Sequence, residues 1–218
     1  MVISARGEPA LADALERLHK IGPNAAAVSV DVSSFDQVLS AAARIEAQYG
    51  PIGILVANAG MNVAARAWGE LSSADFDQVT QINLNGVYYT IDAVLPAMRA
   101  RKDGLIINIA SWAGRFVSAK PGPSYSAAKA AVIALTTSLN ASEYKYGIRA
   151  CALSPAEVAT PAMMRRQVPP TEAALSKMLK PEDIAAAVRF VASMPSHVCI
   201  NELVISPVWN GAYGAPQL

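Results

Sequence analysis

Short apolar runs alternate with longer stretches of helical period along this chain, and that alternation restricts the fold more than any single residue does. Residues 2–5, 25–30, 52–57, 105–109, 148–153 and 203–205 are rich in aliphatic and β-branched side chains and too short to be helices of their own. Between them, Leu11, Ala14, Leu15 and Leu18 share one helical face within residues 9–20, and Phe35, Val38, Leu39, Ala42 and Ile45 do so within 34–49. Residues 72–101 read as a long helical region, with Asp75 and Asp77 suited to its amino terminus and Pro96 expected to bend it. Two more helices are expected at 124–146 and at 181–192, the second opened by Pro181. Residues 154–180 read as loop, with weak helical character at 171–179. The pattern implies an α/β fold, a Rossmann-like doubly wound parallel sheet flanked by helices, in a single domain over 1–218. The unbroken apolar run 52–57 is expected to be a strand buried on both faces.

Charge and cysteine usage narrow the partners. Eighteen basic and seventeen acidic side chains leave a net charge of +1, which does not point to nucleic acid or to an anionic membrane surface. No apolar run approaches the roughly 20 residues of a membrane span, and residues 1–6 lack a basic region leading into an apolar stretch, so a cytoplasmic chain with no membrane partner is expected. Cys151 and Cys199 sit singly in apolar surroundings and are expected to be reduced, buried thiols. His19 and His197 have no neighbours at metal-ligand spacing, so no metal is expected.

A sheet of this kind binds ligands outside the carboxyl ends of its strands. Asn58, Ser111, Ser154 and Pro155 stand at such positions. Tyr125 and Lys129 lie four apart near the start of a helix, so both project from one face. An adjacent cation favours a phenolate, and a tyrosine tuned in this way can act as general acid or base. Taken alone the pair is equally an ordinary helix pair. Ser111, fourteen residues earlier, could bond the same substrate oxygen, or could be only a loop or cap residue. Asn83 is polar within a long helix, where its plain reading is an exposed position.

Taken in order, these residues resemble the short-chain dehydrogenase/reductase family over nearly the whole chain. Asn58-Ala59-Gly60 looks like that family's Asn-Asn-Ala-Gly turn with Ala57 in place of the first asparagine. Asn83 in Ile-Asn-Leu-Asn-Gly-Val, Ser111 in Ile-Ala-Ser-Trp-Ala-Gly, and Tyr125-Ser-Ala-Ala-Lys129 resemble its catalytic tetrad. Asp31-Val32 is similar to the pair that lies against adenine, and Pro155-Ala156-Glu157-Val158-Ala159-Thr160 resembles Pro-Gly-x-Val-x-Thr, with Thr160 near the nicotinamide carboxamide. The resemblance implies an oxidoreductase in which Tyr125 exchanges a proton with a carbonyl or alcohol oxygen held by Ser111. Lys129 would lower the tyrosine's pKa and bond the nicotinamide ribose, and Asn83 would keep a water chain to Lys129. Arg6 stands where an acidic residue would grip the ribose hydroxyls of NAD; a guanidinium there binds a phosphate, which implies NADP rather than NAD. A small ketone or alcohol substrate and a homodimer or homotetramer are implied likewise. Residues 161–180 show no pair of charges that defines the substrate.

The Thr-Gly-xxx-Gly-x-Gly turn, with the strand and helix around it that open the family's chain, has no counterpart among these 218 residues, which implies an N-terminally truncated member. In the usual 3-2-1-4-5-6 order that strand would separate the first strand here from the one ending at Ala57, leaving two edges to face a gap. A later-assigned start, rearrangement of the first two strands against 52–57, or a partner chain would each resolve it. The expectation is an intact tetrad with NADP bound poorly or not at all. The competing class is a non-catalytic interaction or scaffold protein.

Overall fold

The computed structural model describes residues 1–211 and 213. Strand and helix alternate as β1 (Val2–Ala5), α1 (Glu8–His19), β2 (Ala26–Ser29), α2 (Phe35–Tyr49) and β3 (Ile54–Ala57). There follow α3 (Ser73–Thr80), α4 (Gly86–Arg101), β4 (Gly104–Ile109), α5 (Trp112–Arg115), α6 (Pro123–Glu143) and β5 (Ile148–Pro155). The last elements are α7 (Glu172–Lys177), α8 (Pro181–Ala192) and β6 (Glu202–Ile205). Local signals account for several boundaries. Ser34 caps α2 by accepting from the Gln37 N–H, Ser72 caps α3 through Asp75, and Pro181 with Asp183 opens α8.

All strand pairs are parallel, as expected, but the strands form two sheets rather than one: β1-β2, and β3-β4-β5-β6. The first two strands do not rearrange against β3. One helix covers both sheets. Val87, Ile91, Val94 and Met98 of α4 pack into the core over β4 and β5, while Tyr89 and Ala93 pack with Val28 and Val30 beside β2.

The expectation that the run 52–57 is buried on both faces is not met, because β3 is an edge strand on which α4 packs against one face. The strand is shorter, 54–57, and only one of its faces is covered: Leu55 and Ala57 meet the α4 core, whereas Ile54 is 51% exposed and Val56 39%. Residues of this size gain about 2 kcal/mol each on full burial, so the open face forfeits a good part of that at both positions.

The helical region 72–101 is also not continuous. Residues 81–85 take π-helical geometry between α3 and α4, so the irregularity lies well ahead of Pro96, which sits inside α4. The helix expected over 124–146 ends at Glu143 and is followed by a 3₁₀ turn over Tyr144–Tyr146. Of the cysteines, Cys151 is buried, its thiol pushed up to about 12 chiefly by burial, but Cys199 is exposed, because the segment before β6 runs over the surface.

Candidate active site

The carboxyl ends of β3, β4 and β5 bring four expected residues together. The chain leaving β3 passes through Asn58, Ala59 and Gly60, all exposed, to Met61. Asn83 holds this loop: its amide donates to the carbonyls of Met61 and Val79, both at 2.8 Å, and its Oδ1 accepts from the Met61 N–H at 3.2 Å. Asn83 is 0% exposed, which corrects the plain reading of an exposed helix residue. The π segment explains the difference. Its wider turn releases backbone groups that a side chain can reach, and Asn83 lies within it. A Cβ at Gly60 would stand 2.8 Å from Asn83 Oδ1 and 3.5 Å from Lys129 Nζ, so glycine is what lets the loop approach both.

Ser111 follows β4. It caps α5, its Oγ accepting from the Ala113 N–H at 3.2 Å, and it lies beside the Tyr125 hydroxyl. Tyr125 sits in the first turn of α6, behind Gly122 (φ 82°) and Pro123. Lys129, one turn further, is 3% exposed; its ammonium donates to the Ile109 carbonyl at 2.7 Å and lies 5.8 Å from the centre of the Tyr125 ring. Burial pushes the Tyr125 phenol above its ordinary value, and neighbouring Ser111 and Arg166 pull it back only in part. Burial holds the Lys129 ammonium down, at about 8. Arg166 thus lies within electrostatic reach of the phenol, while the Lys129 ammonium, beside the ring, gives its hydrogen bond to backbone.

α5 and α6 touch so closely at this point that a Cβ on Gly114 would lie 2.5 Å from the Lys129 carbonyl carbon and 2.7 Å from the Ala130 nitrogen. Backbone cannot yield as a flexible side chain can, so Gly114→Ala is expected to destabilise the fold by about 1–3 kcal/mol. Thermal unfolding of the variant measures this; a melting point equal to the wild type's would contradict the contact.

The second cluster lies at the ends of β1 and β2. Arg6 Nη1 stands 3.7 Å from Asp31 Oδ2, with the arginine side chain 59% exposed. Asp31 accepts from the Ser33 N–H (2.9 Å) and hydroxyl (2.7 Å), which hold its carboxyl below the ordinary value. It precedes the helix rather than starting it, since Ser34 is the cap of α2. Val32 packs against Gly86, where a Cβ would meet its Cγ2 at 3.0 Å. On the segment after β5, Pro155 ends the strand, Val158 bridges to Leu179, and Thr160 precedes a 3₁₀ turn over Pro161–Arg165. Ser154 is not at the surface of the site. It lies inside β5, 0% exposed.

Four charged residues escaped the sequence reading. Glu157 Oε1 accepts from Lys120 Nζ at 2.8 Å and from Arg166 Nη1 at 2.7 Å. Arg66, half-buried, packs its backbone against Gly122 and lies within electrostatic reach of both Arg166 and Glu157. Glu157 falls on a variable position of the motif over 155–160, and no motif marks Arg66, Lys120 or Arg166, which meet it from separate stretches of the chain.

The short chain dehydrogenase family model matches residues 1–171. An uncharacterized oxidoreductase of Staphylococcus saprophyticus is 35% identical over 209 residues, covering 95% of this chain and 86% of that one. Among solved structures, serine dehydrogenase from Escherichia coli superposes with a TM-score of 0.79 at 29% identity, covering 95% and 86% of the two chains. A gluconate 5-dehydrogenase from Burkholderia cenocepacia, in complex with NADP and tartrate, superposes with 0.80 at 29% identity, covering 94% and 82%. Matched in sequence over most of its length and in the arrangement of its strands and helices, the chain belongs to the short-chain dehydrogenase family of NAD(P)-dependent oxidoreductases.

Proposed function

We propose that this chain transfers hydride between NADP(H) and a small carbonyl compound or secondary alcohol, with Tyr125 as the proton donor or acceptor. The observation that carries the reading is the convergence of the Ser111 hydroxyl, the Tyr125 phenol, the buried Lys129 ammonium and the Asn83-held Gly60 turn in one place.

The residues suit both ends of an NADP molecule. At the nicotinamide end are Asn58, Ala59, Gly60, Tyr125, Lys129, Pro155, Val158 and Thr160; at the adenine end are Arg6, Asp31 and Val32. The Gly60 approach leaves room that any side chain would fill, and the exposed Arg6 guanidinium suits a ribose phosphate. Between the two ends lie the bare edges of β1 and β3. NADP is therefore expected to bind more weakly than micromolar, as calorimetric titration would read.

When bound, the cofactor supplies or accepts the hydride. In the reducing direction a C–H bond forms at the carbonyl carbon, the carbonyl π pair moves onto oxygen, and that oxygen takes the proton from Tyr125 Oη. A phenol raised by burial is protonated at neutral pH, the form this direction requires. Ser111 donates to the same oxygen as negative charge develops on it. Lys129 keeps a positive charge beside the ring below pH of about 8. Asn83 is a positioning residue that fixes the Met61 backbone and through it the Gly60 turn.

The test is NADPH oxidation across a panel of ketones and aldehydes at saturating NADPH. Turnover supports the reading; none across the panel contradicts it. Arg6→Asp is expected to lower the preference for NADPH over NADH, as a ratio of kcat/KM values, by about 10–100-fold, the value of one charge-assisted contact. An unchanged ratio would remove Arg6 from the cofactor site. For the assembly we propose a homodimer or homotetramer covering exposed Phe76 of α3 and Tyr88 of α4. Among the described residues no helix is long and apolar enough to cross a membrane.

A further inference from the structure

The mouth of the site carries more positive charge than its ion pairs consume. One carboxylate, Glu157, takes both Lys120 and Arg166 on the same oxygen, Oε1, at 2.8 and 2.7 Å. Arg66 adds a third cation within reach of Arg166 and Glu157, and no hydrogen bond or ion pair is found for its guanidinium among the described residues. Three cations against one carboxylate leave this cluster at +2, against +1 for the chain as a whole.

The cluster is also fixed in relation to the proposed proton donor. The Arg66 carbonyl packs against Gly122, three residues before Tyr125, and the positive φ of Gly122 is what admits the contact. The same loop is tied down by the Asn62 amide, which donates to the Pro121 carbonyl at 2.9 Å. Arg166, held by Glu157, lies within electrostatic reach of Tyr125 and favours its phenolate. Arg66, half-buried, and Arg166, its side chain 20% exposed, thus lie within electrostatic reach of each other, and the backbone of Arg66 packs against the loop that leads into Tyr125. Glu157 offsets one of the three positive charges and leaves two for an anionic ligand, and the planar fork of arginine matches a carboxylate through paired hydrogen bonds.

We infer that Arg66 and Arg166 select a substrate bearing a carboxylate close to the reacting carbon, a short oxo acid or the corresponding hydroxy acid. This rests on the proposed hydride transfer at the same site. NADPH is then the reductant, the oxo carbon receives the hydride, Tyr125 supplies the proton, and the carboxylate is unchanged.

The test compares short oxo acids with their methyl esters, which keep the carbonyl and remove the charge, at saturating NADPH. The acid is expected to exceed its ester in kcat/KM by at least tenfold. Arg66→Gln is expected to reduce that acid-to-ester ratio at least tenfold, mainly through KM for the acid, since a contact equally made in ground and transition states acts there. A second readout needs no cofactor: succinate should raise the melting temperature of the wild type and not that of Arg66→Gln. Esters turned over as well as acids, or a ratio unaffected by Arg66→Gln, would overturn the inference and leave the hydride transfer standing. No turnover of acid or ester would overturn both.

Discussion

Tyr125→Phe is expected to lower kcat by about 10²–10⁴-fold at saturating cofactor, the range over which a positioned proton donor or acceptor contributes. The substitution removes one oxygen and keeps the ring that packs over the Lys129 ammonium, so the site retains its shape. Stability should change by no more than about 1 kcal/mol, since one hydrogen-bonding hydroxyl is lost. Steady-state kinetics beside a thermal melt separates the two effects. Turnover within about threefold of wild type would mean that the proton comes from another group.

Lys129→Met is expected to act in opposite directions on activity and stability. Turnover should fall at least about 10²-fold, because the positive charge beside the Tyr125 ring is gone. Stability at neutral pH should rise. Lys129 titrates at about 8 in the fold against an ordinary value of 10.5, and at 1.36 kcal/mol per unit that difference is about 3 kcal/mol of unfavourable charge burial. Methionine removes it and loses the bond to the Ile109 carbonyl, worth about 1 kcal/mol, leaving a net gain of about 2 kcal/mol and a melting point about 4–8 °C higher.

The pH dependence identifies the cause. Below pH of about 8 the lysine is charged in both folded and unfolded chains, and the full burial penalty is present. Between about 8 and 10.5 the folded chain has released a proton that the unfolded chain still holds, so this group's contribution to stability rises with pH. Cys151, raised to about 12 from 9.0, contributes with the opposite sign above pH 9 and is common to both proteins. The difference in unfolding free energy between Lys129→Met and wild type should therefore shrink across this window. A difference that is flat with pH, or a variant less stable than wild type at neutral pH, would contradict the assignment. Wild-type kcat should decline as pH passes about 8, where the ammonium is lost.

The order of strands and helices was legible because local signals agreed with it. Pro181 and Asp183 place the start of α8, Ser34 that of α2, and the β-rich runs became strands β1 to β6 within about two residues of their expected ends. What one face of a strand meets was not legible. The run ending at Ala57 reads as doubly buried because its residues are apolar, and only the packing shows that α4 covers Leu55 and Ala57 while Ile54 and Val56, on the opposite face, stay exposed. Asn83 was recognisable by its neighbours in sequence, but its burial depends on π-helical geometry that no propensity encodes. The Tyr125-Lys129 spacing announced a shared face, while the direction of the tyrosine's shift depended on burial and on Arg166, thirty-seven residues beyond Lys129. Arg66 carried no local signal, since its significance comes from Gly122 and Arg166 meeting it in space.

The most direct test of the account uses NADPH deuterated at the hydride position, with wild type and Tyr125→Phe supplied with the same carbonyl substrate. Mass spectrometry should find one deuterium on the carbinol carbon of the wild-type product, formed in proportion to NADPH consumed, and the Tyr125→Phe reaction slowed at least about 10²-fold. A product without deuterium, or label transfer at the wild-type rate in Tyr125→Phe, would contradict it.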